Sequence, residues 1–120
     1  MIAGFLTRDL MFLAKVQSKA AMRGWTLHVA SDVSRLVGKV EDAVQVQRVF
    51  IDLGLPGLHI GTVASELSHA FPNAIRIGYG AHVRVEDLNA ARQAGIEHVY
   101  TRGQFDSDMD RWFQDANEST

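Results

Sequence analysis

Hydrophobic positions along the chain fall into short apolar runs that alternate with stretches repeating every three to four residues. Ile2–Thr7 is the first such run. From Leu10 the period lengthens, so that Leu10, Leu13, Ala14, Gln17, Ala20 and Ala21 share one helical face, with Asp9 as N-cap and Gly24 as the stop. Trp25–Ala30 reads as a second strand, and Ser31 or Asp32 caps a second helix with the stripe Val33, Leu36, Val37 and Val40. In Glu41–Gln47, Val44 and Val46 alternate with polar residues, which fits a loop or an early extension of the next strand. Val49–Pro56 (V-F-I-D-L-G-L-P) runs apolar up to Asp52 and turns at Gly54, Pro56 and Gly57. A third helix carries Ile60, Val63, Ala64 and Leu67 and ends at Pro72; Ala74–Tyr79 is a fourth strand with Gly78 and Gly80 at its carboxyl end. Glu86–Ala94 predicts a fourth helix closed by Gly95, and Glu97–Thr101 a fifth strand. Phe105, Met109, Trp112 and Phe113 then form the stripe that docks a last helix.

Strands alternating with helices in this way predict one parallel sheet covered on both faces, because parallel strands need crossover connections. Right-handed crossovers bring the ends of the first, third and fourth strands to one edge. That edge presents Thr7, Arg8, Asp9, Asp52, Gly80, Ala81 and His82. An Asp delivered by a buried strand to the carboxyl edge stands where open α/β sheets gather ligands and chemistry.

Composition narrows the function classes. With 120 residues, 47% hydrophobic and 22% charged, the chain fits one soluble domain, taken as residues 1–116 with a polar tail at 117–120 and no attached output domain. A net charge of −2 offers no basic stripe for nucleic acid. Met1–Thr7 is interrupted by Arg8 and Asp9, well short of a signal peptide or of the roughly 20 apolar residues a membrane span needs. The lack of cysteine excludes disulfides, thiolate metal sites and thiol nucleophiles, and fits a cytoplasmic chain. His28, His59, His69, His82 and His98 show no pair at metal-ligand spacing. No serine stands in a G-x-S-x-G elbow, and neither T-R-D-L nor G-Y-G-A is a phosphate loop. No enzymatic activity is expected.

Three landmarks, in order, carry a resemblance: Gly24 closing the first helix, the D-x-x-x-P of Val49–Pro56, and A-R-Q-A-G-I-E-H-V at Ala91–Val99. Up to about Phe113 the chain resembles the receiver domains of two-component response regulators. The resemblance implies a flavodoxin-like (βα)5 fold, a doubly wound parallel sheet of order 2-1-3-4-5, with Asp52 at the phosphoacceptor position. It also implies a signalling protein as partner, met through the fourth helix, fifth strand and fifth helix, where a homodimer would also form.

Other site positions depart from that family. Its metal-binding acidic pair is replaced by Thr7 and Arg8, its switch Thr or Ser by Gly80, and its Lys-Pro by Arg102 and Gly103. The position of the switching aromatic is Val99, beside Tyr100. Aspartyl phosphate forms by in-line attack with a metal bridging the reacting oxygens, and Mg²⁺ needs carboxylates to hold it. The expectation is therefore a degenerate receiver, not phosphorylated, with no catalytic residue, metal or cofactor. The alternative is a working phosphoacceptor in which a bulge brings Asp9 beside Asp52 to hold Mg²⁺. For Asp52 two arrangements stay open: pairing with Arg8, Arg102 or both, or capping the helix that begins near Leu58 while Arg8 faces solvent. His82 either bonds Asp52 or is exposed. A small-ligand sensor at this edge is a third reading.

Overall fold

In the computed structural model, which describes residues 1–114, the strands β1 (Ile2–Leu6), β2 (Thr26–Ala30), β3 (Val46–Asp52), β4 (Ile75–Gly80) and β5 (His98–Thr101) form one parallel sheet. Their order is β2-β1-β3-β4-β5. The crossovers are α1 (Leu10–Met22), α2 (Val33–Lys39), α3 (Ile60–Ala70) and α4 (Val85–Gln93), and α5 (Arg102–Trp112) closes the fold. This is the flavodoxin-like (βα)5 arrangement. The stretch 41–47, ambiguous by pattern, is a 3₁₀ turn at Ala43–Gln45 that runs into β3. The tail assigned to 117–120, with residues 115 and 116, lies outside the described residues. No described helix is long and apolar enough to cross a membrane.

Alternation along β3 sorts the core into two chemistries. Val49 and Ile51 face α2, α3 and α4 in an aliphatic layer with Leu36, Leu67 and Leu88. Phe50 faces α1 and α5 in an aromatic layer with Phe5, Phe12, Tyr79, Phe105 and Phe113. Aromatic rings there meet edge-on, tilted or stacked at centroid distances of 4.8 to 6.1 Å, the separations such pairs prefer. The last helix docks as the stripe predicts, with Phe105, Met109, Trp112 and Phe113 all buried.

Helix ends follow the sequence signals. Asp9 and Asp32 cap α1 and α2 through Phe12 N–H and Arg35 N–H. Gly24, at φ 73°, closes α1 in a Schellman motif: Trp25 N–H donates to Ala20 C=O and Gly24 N–H to Ala21 C=O.

The first helix corrects the predicted stripe. Its buried side chains are Phe12, Val16 and Ala20, whereas Leu10, Ala14, Gln17 and Ala21 are exposed and Leu13 is half-buried. The aromatic layer needs Phe12 to reach Tyr79 at 4.8 Å and Phe105 at 5.7 Å, and that contact sets the rotation of the helix.

Candidate functional site

β3 ends by delivering Asp52 to the carboxyl edge on the aromatic side, two residues beyond Phe50 on the same pleat. β1 similarly carries Thr7 two residues beyond Phe5, and Thr7 N–H extends the β2 pairing to Ala30 C=O at 3.1 Å. Thr7 and Asp52 meet there. The Thr7 hydroxyl donates to Asp52 Oδ2 at 3.0 Å, and Gly54 N–H donates to Asp52 Oδ1 at 2.9 Å. Both carboxylate oxygens thus have donors from the chain itself. Thr7 is the only buried polar or charged residue among those described, at 5% exposure, whereas Asp52 is half-buried, so the bond is shielded from water on the Thr7 side alone.

From Thr7 the network runs outward. Asp9 N–H donates to Thr7 Oγ1 at 3.0 Å, and the Asp9 carboxylate accepts from Phe12 N–H and pairs with Arg102 Nη2. Arg102 is the first residue of α5, which a Thr101–Gln104 capping box starts. Its guanidinium lies 4.8 Å over the Phe12 ring. Burial works to raise the Asp9 pKa, but the Phe12 N–H and the Arg102 charge outweigh it and hold the carboxyl below its ordinary value.

The expected pairing of Asp52 with arginine is therefore corrected, and of the alternative arrangement the solvent-facing Arg8 holds while the helix cap does not. Arg102 pairs with Asp9 rather than Asp52, because α5 begins at residue 102 and directs that side chain onto the cap of α1. Arg8 is exposed and makes no ion pair among the described residues. Asp52 caps the turn at Gly54 and not a helix; α3 starts at Ile60 with His59 at its N-cap, without a side-chain bond. Ala81 and His82 are exposed in the turn after β4, and no hydrogen bond joins His82 to Asp52.

Gly80 is buried at the end of β4. A Cβ added to it would lie 3.3 Å from Leu53 Cβ and 3.5 Å from Leu88 Cδ2, on the aliphatic side of the sheet. A side chain there would need Leu53 to give by a few tenths of an ångström. The position that faces Asp52 across the sheet is Tyr79, its register partner on β4. Sequence reasoning did not place Tyr79 in the site, although the spacing from Ile77 puts it on the aromatic pleat. Its hydroxyl is buried and makes no hydrogen bond of ordinary length and angle, since the Thr7 O–H is given to Asp52; burial, then the Asp52 charge, push its pKa far above the ordinary value, and the nearby Thr7 hydroxyl only partly opposes them.

This donor set does not fit Mg²⁺, which demands several oxygen ligands in near-octahedral geometry. Asp52 is satisfied by Thr7 and Gly54, Asp9 is held by Arg102, and no group of three or more His, Asp or Glu side chains suited to a metal exists among the described residues.

The Asp9–Arg102 pair makes a modest, pH-dependent contribution. Side-chain exposures of 24% and 51% place it near the surface, where such a pair is worth about 0.2–1 kcal/mol after screening. Because the folded pKa of Asp9 is lowered, this stability is present above the unfolded pKa of about 3.9 and is lost as pH falls through the folded value. Asp9→Asn keeps a capping side chain, so urea titrations should show it losing less than about 1 kcal/mol at pH 7 and declining less steeply than the parent below pH 4.

The sequence matches no protein-family model and no curated protein. Several solved structures with the same fold are receiver domains. A response regulator receiver domain protein from Clostridium thermocellum superposes with a TM-score of 0.74 at 14% identity, over 93% of this chain and 90% of its own. A CheY-like receiver domain protein from Methanospirillum hungatei gives 0.70 at 10% identity, over 99% and 98%. The receiver domain of a sensor histidine kinase from Pseudomonas aeruginosa, with a magnesium ion coordinated in its active-site cleft, gives 0.71 at 14%, over 93% of each chain. The fold is thus that of response regulator receivers, and Asp52 stands at the carboxyl edge of its central strand.

Proposed function

We propose that the chain is a receiver-fold regulatory module that acts by binding a signalling protein, without enzymatic activity and without taking up a phosphoryl group. The Thr7–Asp52 hydrogen bond carries this reading. A phosphoacceptor needs a lone pair of one carboxylate oxygen aimed at the donor and a cation beside it to offset the donor's charge, and a hydrogen bond to each oxygen weakens the carboxylate as a nucleophile. Thr7 donates to one oxygen, Gly54 to the other, and Arg102 neutralises Asp9 instead of reaching Asp52. Gly80 lacks a hydroxyl that would follow a phosphoryl group inward. The site works as a lock that fixes the ends of β1 and β3 in one arrangement. Binding then depends on the availability of the partner, which docks on the face formed by α4, β5 and α5.

Intact mass after incubation with acetyl phosphate and Mg²⁺, beside an Asp52→Ala control, tests this directly. No mass gain on folded protein is the expected result. A gain of one phosphoryl group that Asp52→Ala abolishes would overturn it and favour a working phosphoacceptor, with Asp9 released from Arg102 to hold the metal.

A further inference from the structure

Between α2 and α3, on the aliphatic side of the sheet, the surface descends into a cavity of about 400 Å³. Leu6, Val33, Leu55, Leu58 and Val63 line it, and Leu6, only 1% exposed, lies at its floor. The turn after β3 makes one wall, where Leu58 N–H donates to Leu55 C=O and Gly57 takes φ 75°. At Val33, Ser34 and Glu66 the cavity adjoins a second, of about 510 Å³, that also touches Val37 and His69. Several hundred cubic ångströms with an apolar floor and a few polar groups are the dimensions of a small-ligand site.

The polar groups select the ligand. Asp32 is committed within α2: Oδ1 accepts from Arg35 N–H at 2.7 Å, and Oδ2 pairs with Arg35 Nε at 3.5 Å. Arg35 Nη1 also donates to Ser31 Oγ at 3.4 Å, so these two charges cancel at the rim. Glu66 is different. It lines both cavities and makes no hydrogen bond or ion pair among the described residues, which leaves one uncompensated negative charge where they meet. His69 bonds Ser65 C=O through Nδ1 at 2.9 Å. A carbonyl only accepts, so Nδ1 carries the proton and the neutral ring keeps Nε2 as an acceptor. Residues 66 and 69 stand three apart on α3 and share a face, so the groove offers two acceptors on one side.

We propose that this groove binds a small organic cation, an alkylammonium with an apolar body. The body enters against Leu6 and Leu55, and the ammonium donates to Glu66 with His69 as second acceptor. An anion would be repelled by Glu66, and a neutral molecule would leave that charge unanswered. The site includes neither Asp52 nor the α4–β5–α5 face and does not rest on the proposed function.

Phenethylammonium is the probe, with 2-phenylethanol and 3-phenylpropionate as its neutral and anionic counterparts. In proton–nitrogen correlation spectra of the full chain at constant ionic strength, the ammonium should shift the amides of 31–35, 55–58 and 63–70 and saturate in the millimolar range. Glu66 is exposed, so the charge is worth a few-fold in affinity. The alcohol should therefore bind about three-fold more weakly, and the carboxylate should not bind. Glu66→Gln should bring the ammonium down to the alcohol's affinity, and Glu66→Lys should abolish its binding. Ser34→Trp, from an exposed position where the cavities meet, should block all probes, whereas Glu86→Gln on α4 should change nothing. The same spectra show whether each variant is folded. Equal affinity for the three probes, undiminished binding to Glu66→Lys, shifts confined to other elements, or no shift at about 50 mM would each overturn the proposal.

Discussion

Tyr79→Ala is expected to cost about 3–5 kcal/mol in denaturant unfolding, as aromatic truncations in packed cores do. The Tyr79 ring is stacked on Phe105 at 5.0 Å and 14°, lies 4.8 Å from Phe12 and meets Phe5 edge-on at 6.0 Å. It therefore joins α1 and α5 to the centre of the sheet, and its loss leaves a cavity that three elements must share. For a domain that is ordinarily stable by only 5–15 kcal/mol, about a third of the total would disappear. Tyr79→Phe should behave oppositely and be neutral or stabilising by up to about 1 kcal/mol, because it keeps the ring and removes a buried hydroxyl that makes no hydrogen bond of ordinary length and angle. The pair also predicts an alkaline signature. With its folded pKa raised above the unfolded value of about 10, Tyr79 contributes stability that is complete below that pH and declines as the unfolded chain ionises above it. The parent should lose stability between pH 10 and 11 faster than Tyr79→Phe. A Tyr79→Phe variant weaker than the parent at pH 7 would mean that the hydroxyl does find a partner.

The alternation of period along the chain was enough to order the elements, and the resemblance supplied the strand order, because both rest on local pattern and on crossover handedness. The Asp52 strand was legible for the same reason. The face of α1 was not. That helix carries two apolar stripes, Phe12–Val16–Ala20 and Leu10–Ala14–Ala21, and periodicity cannot say which one meets the sheet. The deciding contact lies between Phe12 and residues 67 and 93 positions away, Tyr79 and Phe105.

The ion pairing in the site was equally hidden. Whether Arg102 ends β5 or opens α5 is a difference of one residue, yet it decides whether the guanidinium reaches Asp52 or Asp9. Element ends are the part of a pattern least fixed by sequence. Thr7 was legible as a missing carboxylate and illegible as a donor. Its role appears only once β1 and β3 are paired in register, Leu6 beside Ile51, which sets Thr7 beside Asp52. A hydroxyl one residue past a buried strand and an Asp at the end of its neighbour would be the signal to look for.

That pairing makes Thr7→Val the sharpest test of the lock. Valine keeps the shape and burial of the side chain but removes the hydroxyl, leaving Asp52 Oδ2 without its donor and Asp9 N–H without its acceptor. Two partners are orphaned by one substitution, so a loss of about 2–3 kcal/mol is expected, at the upper end of the usual range for an unmade buried bond. Water can reach Asp52, which is half-buried, and that caps the figure. Thr7→Ser should recover most of it, falling short by about 0.8 kcal/mol for the lost methyl. The decisive measurement is a double-mutant cycle with Asp52→Ala. If the hydroxyl acts through the carboxylate, Thr7→Val should cost about 1–2 kcal/mol less in the Asp52→Ala background than in the parent. Additive losses would show that Thr7 holds β1 and α1 together through Asp9 alone, and that Asp52 is free of it.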